Sequence, residues 1–448
     1  MKPKLSGTVK TLTMKGFRLP VSTIKVLLFL CLGSGPFFQE AMQAQDDPVR
    51  AIDIRDTVST ARKDRTLPAV PQQDIVDIYQ QVFNKKKALK RDSQEKDDSL
   101  RRKSQKADLA FLPAAGYSLV TRIAVVMAAN VAFYADTDEN TKLSAINTSI
   151  AYTQNQQIIL PVLSNIWTRK NKFNLLGDWR YYKYPEYTYG LGGHTSDVQD
   201  ADLLNYSNII IHEAVLRHVS SSDFCVGLAY NLDYHWQVSE AGNANGLPSD
   251  FRKYGFSPQS TSSGISVNAL FDNRKNSINP SDAVYGSISY CPNFTFLGSD
   301  KNYQSLLIDL RKYFPIGKAG NVLSFWSYNW FTFNGNAPYL DLPSTGWDPY
   351  ANMGRGYIQS RLRGKNLVYL EGEYRFGLTR NGLLGAVVFA NVQSVTDWPS
   401  NKFEVLYPAV GTGLRIKINK HSNTNVCLDY GFGINGSNGL FVNLGEVF

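Results

Sequence analysis

The sequence predicts an all-β fold: a sixteen-stranded antiparallel transmembrane β-barrel preceded by a short N-terminal helical and linker segment. Three observations predict it: repeated alternating segments of about ten residues, an export signal, and a strand-like run that ends on an aromatic residue. The 448-residue chain also contains 25 Tyr, 24 Phe and 7 Trp, a content typical of barrel girdles. An aromatic-rich β-sandwich is the alternative that composition alone leaves open.

Residues 1–44 are predicted to be a secretory signal peptide. An apolar run at 26–38 follows basic residues, and Ala41 and Ala44 precede the acidic Asp46. The run is too short to cross a bilayer as a helix, and no later stretch reaches the roughly 20 apolar residues that a spanning helix needs. Without the six basic and one acidic residues of this segment, the formal net charge falls from +9 to +4. Membrane residence therefore has to come from strands.

Residues 45–108 are predicted to be a charged periplasmic linker with one short amphipathic helix, expected from Asp74 to about Lys87. The apolar residues of this helix share one face: Ile75, Ile78, Tyr79, Val82 and Phe83. Residues 85–106 then hold ten basic and four acidic side chains. We interpret them as a solvated tether or, alternatively, as a basic collar that contacts anionic lipid or a partner protein.

Residues 109–448 are predicted to form the barrel, because alternating segments recur between polar and glycine-rich loops. The sixteen expected strands are 109–117, 121–134, 143–153, 156–167, 173–184, 204–218, 223–236, 261–272, 284–296, 303–313, 322–333, 366–376, 384–393, 410–419, 425–433 and 439–448. An even number suits a closed antiparallel barrel, in which no strand keeps an unpaired edge.

The last strands show which side chains share a face. In the strand 366–376 the even positions from Val368 to Phe376 carry no charge and are mostly apolar, whereas Glu371, Glu373 and Arg375 occupy odd positions. The same alternation places four apolar residues together on one face of the closing strand: Leu440, Val442, Leu444 and Phe448. Alternation alone does not say which face meets lipid. The export signal and aromatic content favour apolar side chains outward and charge inward, so Glu446, on the apolar face, is expected in the membrane interface.

Cysteine and histidine content argues against several functional classes. Once the predicted signal peptide with Cys31 is removed, three cysteines remain: Cys225, Cys291 and Cys427. They are far apart and odd in number, which excludes a disulfide framework and a close-spaced zinc motif. His212 and Glu213 are adjacent, so in a strand they point to opposite faces. No nucleophile elbow, metalloprotease motif or phosphate loop occurs. We therefore expect no enzymatic activity, no cofactor and no metal, and no nucleic-acid partner, since the basic run lacks interleaved aromatic residues.

Several short motifs follow one another along the predicted barrel. Near its start stand Pro113, Gly116, Tyr117 and Ser118. A strand and turn follow with Phe271, Asp272, Asn273, Arg274, Lys275, Asn276 and Pro280. The last third contains Gly354, Arg355, Gly356 and Tyr357, then Glu373, Tyr374, Arg375 and Phe376, then Gly411, Gly413 and Arg415, then Asp429, Tyr430, Gly431, Phe432 and Gly433, and the ending Leu-Gly-Glu-Val-Phe. In this order, over about residues 109–448, they resemble the barrel of the bacterial surface antigen superfamily, which includes BamA and TamA.

The resemblance implies a loop that folds back into the barrel lumen. Arg355, within the Gly354–Tyr357 motif, would meet Glu371 or Glu373 on the inner wall. The family often places Asp on the next strand, where this chain has Asn391, so a hydrogen bond would replace an ion pair there. A solvated turn arginine is the alternative reading of Arg355.

The resemblance also implies a location and a role. BamA-like and TamA-like proteins carry periplasmic polypeptide-transport domains, and none is expected here because residues 45–108 lack strand signals. The chain is expected in the outer membrane of a Gram-negative bacterium, in contact with its lipids. It would act in outer-membrane biogenesis by inserting or passing polypeptide or lipid, with unfolded outer-membrane proteins as clients. The alternative is a pore or a scaffold subunit of an outer-membrane complex that docks a partner through residues 74–106.

Overall fold

The computed structural model describes most of the predicted barrel and a short piece of the segment before it. The described residues are 72–75, 77–78, 107–118, 121–136, 141–194, 201–219, 223–241, 249–317, 320–420 and 423–448. The predicted signal peptide and most of the predicted linker lie outside them. No helix among the described residues is long and apolar enough to cross a membrane.

Seventeen strands account for nearly all regular structure in these residues. The first nine are β1 (Asp108–Ser118), β2 (Arg122–Tyr134), β3 (Leu143–Thr153), β4 (Ile158–Trp167), β5 (Phe173–Lys183), β6 (Glu186–Thr188), β7 (Asp202–His218), β8 (Phe224–Glu240) and β9 (Gln259–Asp272). The other eight are β10 (Ala283–Asn293), β11 (Tyr303–Pro315), β12 (Val322–Phe333), β13 (Asn366–Gly377), β14 (Leu384–Val395), β15 (Tyr407–Asn419), β16 (Thr424–Gly433) and β17 (Asn438–Leu444). One short helix, α1 (Asp250–Gly255), lies between β8 and β9.

Each strand pairs antiparallel with its neighbour along the chain. The one departure is that β5 and the three-residue β6 both pair with β7. The two therefore occupy one position in the sheet, and the seventeen strands fill sixteen positions. The predicted sixteen-position antiparallel barrel is confirmed, and β6 is an addition that the sequence did not predict.

The strands alternate between two rims with different connections. Long connections join the strands at one end, at 184–201, 241–258, 334–365 and 396–406, and we call this end the long-loop rim. Shorter turns join them at the other end, for example at 168–172, 316–321, 378–383 and 420–423, and we call this end the short-turn rim. Such asymmetry is typical of outer-membrane barrels, whose periplasmic turns are short.

The outer surface of the sheet is apolar, and its inner side carries the polar and charged residues. In β13, Leu370 is 53% exposed, whereas the flanking Glu371 is 1% exposed. In β2 and β3, Val125 and Ile150 are likewise exposed. The prediction that charge points inward is confirmed.

The closing strand departs from the prediction at its end. Three of the four predicted outer-face residues are exposed as expected: Leu440, Val442 and Leu444. Phe448 is instead buried inside the barrel, at 3% exposure. The strand ends at Leu444, and Gly445 adopts a φ of +85°, a conformation that glycine reaches without strain, so the chain turns inward there. The predicted outward position of Phe448 is therefore wrong.

Strands β1 and β17 lie side by side, yet no backbone ladder joins them among the described residues. Every other neighbouring pair of barrel strands has a ladder, and β1 pairs with β2 over its whole length. The two strands thus define a seam in the wall.

Candidate functional site

The loop 334–365, which joins β12 to β13, folds back into the lumen and carries the Gly-Arg-Gly-Tyr motif. Gly354 and Gly356 both have positive φ angles, +86° and +108°, which position Arg355 between them. The Tyr357 hydroxyl donates to the backbone oxygen of Pro408 at 2.5 Å and accepts from the backbone N–H of Ile434 at 3.0 Å. The motif is therefore fixed to the wall on both sides of the arginine.

A glycine on the inner wall allows the loop to come this close. A side chain at Gly431 in β16 would place its Cβ 2.6 Å from the backbone nitrogen of Gly356, closer than real Cβ contacts permit. A side chain at Gly433 would meet the ring of Tyr357 in the same way. The alternation of glycines in β16 is thus a requirement of packing the loop against the wall.

Arg355 is fully buried and meets three carboxylates. Its guanidinium donates to Glu371, to Glu373 at 2.5 Å and to Asp429 at 2.5 Å. The guanidinium also lies over the ring of Phe389, 3.8 Å from the ring centroid. Burying three carboxylates in a closed space is costly unless a cation compensates them. Arg355 therefore links the inner faces of β13 and β16.

Two further arginines extend this group. Arg375 donates to Glu373 at 2.5 Å, and Arg415 donates to Asp429 at 2.5 Å and to Glu446 at 2.7 Å. Three arginines and four carboxylates therefore form one buried set, which we call the lumen network: Arg355, Arg375, Arg415, Glu371, Glu373, Asp429 and Glu446. Each charge in it faces opposite charge, as burial requires.

The predicted position of Glu446 at the membrane interface is wrong, because the inward turn at Gly445 carries it into the lumen network. The next residues follow it inward. The backbone oxygen of Phe448 accepts from Arg375 at 2.8 Å, and that of Val447 accepts from Asn352 of the loop 334–365 at 2.7 Å. We call residues 445–448 the inward tail; it joins the closing strand, the loop and the network.

The ring of Phe448 occupies an aromatic pocket on the inner wall. Its centroid lies 5.2 Å from that of Trp326 and 6.3 Å from that of Tyr313, and both partner side chains are buried. Burial of an aromatic side chain among others stabilises strongly. The inward tail is therefore a packed part of the fold.

The loop 334–365 has a second attachment near the long-loop rim. Arg363 is buried and pairs with Glu186 of β6 at 3.2 Å, and its backbone oxygen accepts from the N–H of Gly192 at 2.8 Å. Trp347 of the same loop donates to Ser360 at 2.8 Å. The loop thus spans the lumen from β6 to β16.

Beside the loop the lumen keeps a cavity of about 190 Å³, whose lining mixes apolar side chains with several charged ones. Asp178, His212 and Asp233 reach it from the strands, and Asp341 reaches it from the loop. His212 Nε2 lies 3.0 Å from Asp233 Oδ2. Burial, together with the Asp233 carboxylate, raises the pKa of Asp341 well above its usual range. The loop 334–365 and the inward tail therefore fill the lumen beside β13–β16, whereas a cavity large enough for water molecules remains beside Asp178, His212 and Asp233.

The segment 72–78 lies against the short-turn rim. The backbone of Gln73 donates to Asn381 in the turn 378–383 at 2.9 Å, and the backbone N–H of Lys420 donates to Asp74 at 3.1 Å. Asp74 and Asp77 each accept from the other's backbone N–H at 3.0 Å, the reciprocal pattern of a capping box. A helix begins after Asp74, where the sequence predicts its start; the rest of the predicted helix lies outside the described residues.

The structure brings together most of the residues that the sequence singled out. Glu371 and Glu373 both contact the Arg355 guanidinium, whereas Asn391 donates to the backbone oxygen of Arg355 at 2.9 Å. The sequence reasoning missed Asp429 as the third carboxylate. Its odd position in a strand with apolar even positions would have placed it on the inner wall, although alternation does not identify a partner.

Known proteins were compared with the chain as a whole. No protein-family model matches it, and no curated protein sequence matches it either. The structure resembles that of BamA from Haemophilus ducreyi lacking POTRA domains 1–3, with a TM-score of 0.52 and 14% identity over 76% of this chain and 70% of that chain. CdiB from Acinetobacter baumannii gives a TM-score of 0.48 and 12% identity over 77% of this chain and 60% of that chain.

The likeness to BamA concerns the fold, because so low an identity carries no more. The chain is a transmembrane β-barrel with a BamA-like fold. Two features bear on what such a barrel can do. The lumen network fixes strands β13–β17 from the inside, and no ladder joins β17 to β1 among the described residues.

Proposed function

We propose that this barrel acts in the biogenesis of the outer membrane of a Gram-negative bacterium, by inserting or passing polypeptide or lipid at the seam between β1 and β17. The observation that carries the proposal is that, among the described residues, no ladder joins β1 to β17, whereas every other neighbouring pair of barrel strands is hydrogen-bonded. A strand edge without a partner is a template on which another strand adds by main-chain hydrogen bonds.

The lumen network supports this role because it fixes one side of the seam. Asp429 and Glu446 tie β16 and the inward tail to arginines of β13 and β15. Opening the wall at β1 would therefore leave the β13–β17 side intact. The proposal treats the barrel as non-enzymatic and requires no cofactor.

A cross-linking experiment tests the seam. The native Cys225, Cys291 and Cys427 are replaced by serine, and cysteines are placed at Leu109 and Phe441. In cells depleted of the native protein, we expect the oxidised variant to leave the outer membrane short of barrel proteins or lipid, and the reduced variant to restore them.

A matched control locks a pair that already has a ladder. Cysteines at Gly372 and Ala390 face each other across β13 and β14. This control variant should restore outer-membrane proteins and lipid in both its oxidised and its reduced form. Full function of the oxidised seam variant, with cross-linking complete, would count against lateral opening.

A second role, as a scaffold subunit of an outer-membrane complex, is favoured by the segment 72–78. It is held at the short-turn rim, where β1 also begins. Deleting 79–106 separates the two roles. If the protein is a scaffold, the deletion variant should lose its co-purifying partners while the barrel still folds. If the barrel itself inserts polypeptide or lipid, the variant should maintain the normal amounts of outer-membrane proteins and lipid.

A further inference from the structure

A group of ligand-type side chains lies apart from the lumen network, where two loops meet at the long-loop rim. His194 belongs to the loop between β6 and β7, and Asp397 and Glu404 belong to the loop between β14 and β15. One ligand atom from each residue lies within 4.8 Å of the other two. His194 Nε2 itself lies 3.6 Å from Glu404 Oε2.

Asp397 is already held in place by the opposite loop. Its Oδ1 accepts from the backbone N–H groups of Gly193 at 2.6 Å and of His194 at 3.1 Å. Gly192 has a φ of +103°, and a side chain there would collide with Asp397. The two loops therefore meet through backbone contacts, which position one carboxylate without the help of the other two side chains.

The second carboxylate oxygen of Asp397 points to a bound ligand independently of the clustering of the three side chains. The residue is 8% exposed, and its Oδ2 is buried without a hydrogen-bond partner among the described residues. A carboxylate oxygen that is buried and unpaired costs free energy, because it loses water and gains nothing in exchange. His194 and Glu404 each place a ligand atom within 4.8 Å of a carboxylate oxygen of Asp397, and among the described residues no hydrogen bond reaches Oδ2.

We propose that His194, Asp397 and Glu404 bind one divalent transition-metal ion, Zn²⁺ being the best match. An imidazole ligand favours Zn²⁺, Cu²⁺ or Ni²⁺ over Ca²⁺ and Mg²⁺, which prefer oxygen alone. The two carboxylates balance the charge of the ion. Three protein ligands leave a fourth position for water or another group, as in open zinc sites.

The spacing fits such a site after a small adjustment. Bonds of about 2.0–2.2 Å to zinc require ligand atoms somewhat closer than 4.8 Å. His194 and Glu404 are both exposed, so their side chains can rotate inward, while Asp397 stays fixed by the opposite backbone. The ion would then clip the β6–β7 loop to the β14–β15 loop, on the side of the barrel away from the segment 72–78.

Metal titration of the whole barrel tests the site. The protein is purified in detergent micelles without a polyhistidine tag, stripped with a chelator, and titrated with Zn²⁺ against a chromophoric competitor. We expect one zinc-binding site, and a loss of affinity of at least about tenfold in H194Q and in E404Q, since disturbing even the groups that support metal ligands weakens binding by that factor. D397N keeps an oxygen for the backbone N–H groups and should weaken binding similarly.

The control is H218Q, which changes a histidine at the end of β7, on the short-turn rim. It should bind Zn²⁺ as the unchanged protein does. The heat-dependent shift of the barrel on gels checks that every variant is folded. The proposal is overturned if the unchanged protein binds no Zn²⁺, if H194Q and E404Q bind it as tightly as H218Q does, or if Ca²⁺ at equal concentration displaces Zn²⁺.

Discussion

Strands β2–β4 and strands β13–β16 offer lipid the same kind of apolar outer face but differ in what they turn toward the lumen. β2 has one charged residue, Arg122, at its first position, and β3 and β4 have none. On the other side, β13, β15 and β16 supply most of the lumen network. The outer face is set by the membrane, whereas the inner face is set by what the barrel has to hold.

What it holds on the β13–β16 side is a loop and a tail. The loop 334–365 and the inward tail supply Arg355 and Glu446, and both would be unpaired charges without the strands. The β2–β4 side holds no comparable insert among the described residues, and backbone ladders account for its order. The seam therefore lies between the β13–β16 side, which the loop and the tail fix from the inside, and the β2–β4 side, which has no such insert among the described residues.

Removal of the Arg355 side chain should have the largest effect on the stability of the β13–β16 side. R355A leaves Glu371, Glu373 and Asp429 buried without their shared cation, and removing one partner of a buried ion set costs about 3–5 kcal/mol. We expect that loss in the free energy of unfolding, measured by urea titration of tryptophan fluorescence in lipid vesicles.

The matched variant for this measurement is R169A, at an exposed position in the turn between β4 and β5. A surface change of this kind should stay within about 0.5 kcal/mol of the unchanged protein. If R355A were no less stable than R169A, the lumen network would not be what fixes the β13–β16 side.

The sequence predicted the strands well because period-two alternation is a local property. β3 and β12 begin and end where the alternation does. The three-residue β6 was missed because Pro185 interrupts the pattern and three positions are too few to show a period. The inward turn of the tail was missed because the alternation was continued through Gly445, whose positive φ ends the strand.

The site was predictable in part for a similar reason. Alternation places Glu371 and Glu373 on the inner wall, and the resemblance of the Gly-Arg-Gly-Tyr motif adds the arginine that meets them. Asp429 and Glu446 reach the same network from other strands and from the tail. Such contacts join distant parts of the chain, and a face assignment does not say which inward groups meet.

The lipid-facing surfaces of the two sides should be destabilised to a similar extent by an introduced arginine. Leu370 in β13 is 53% exposed and Ile150 in β3 is 52% exposed. L370R and I150R should each lower the free energy of unfolding by roughly 2–4 kcal/mol, the cost of arginine at mid-bilayer on a barrel's lipid face.

The same vesicle titration measures both variants, with L406R as the control, because Leu406 is exposed in the loop between β14 and β15. L406R should have little effect. A large cost for L370R with none for I150R would contradict the interpretation that β3 faces lipid.

The smallest expected effect concerns the segment 72–78, which attaches to the turns of the β13–β16 side and not to the β2–β4 side. D74A removes the side chain that caps the helix and accepts from Lys420. Loss of such a cap costs about 0.5–2 kcal/mol, which corresponds to roughly a 2- to 30-fold rise in the exchange rate of the Ile78 amide, since that amide bonds to the Asp74 backbone. Hydrogen exchange measures it, and Q72A, which changes an exposed residue, is the control. Unchanged exchange of Ile78 in D74A would mean that Asp74 does not stabilise the helix, and that the contacts of Gln73 with Asn381 and of Asp77 with Lys420 are enough to hold the segment at the rim.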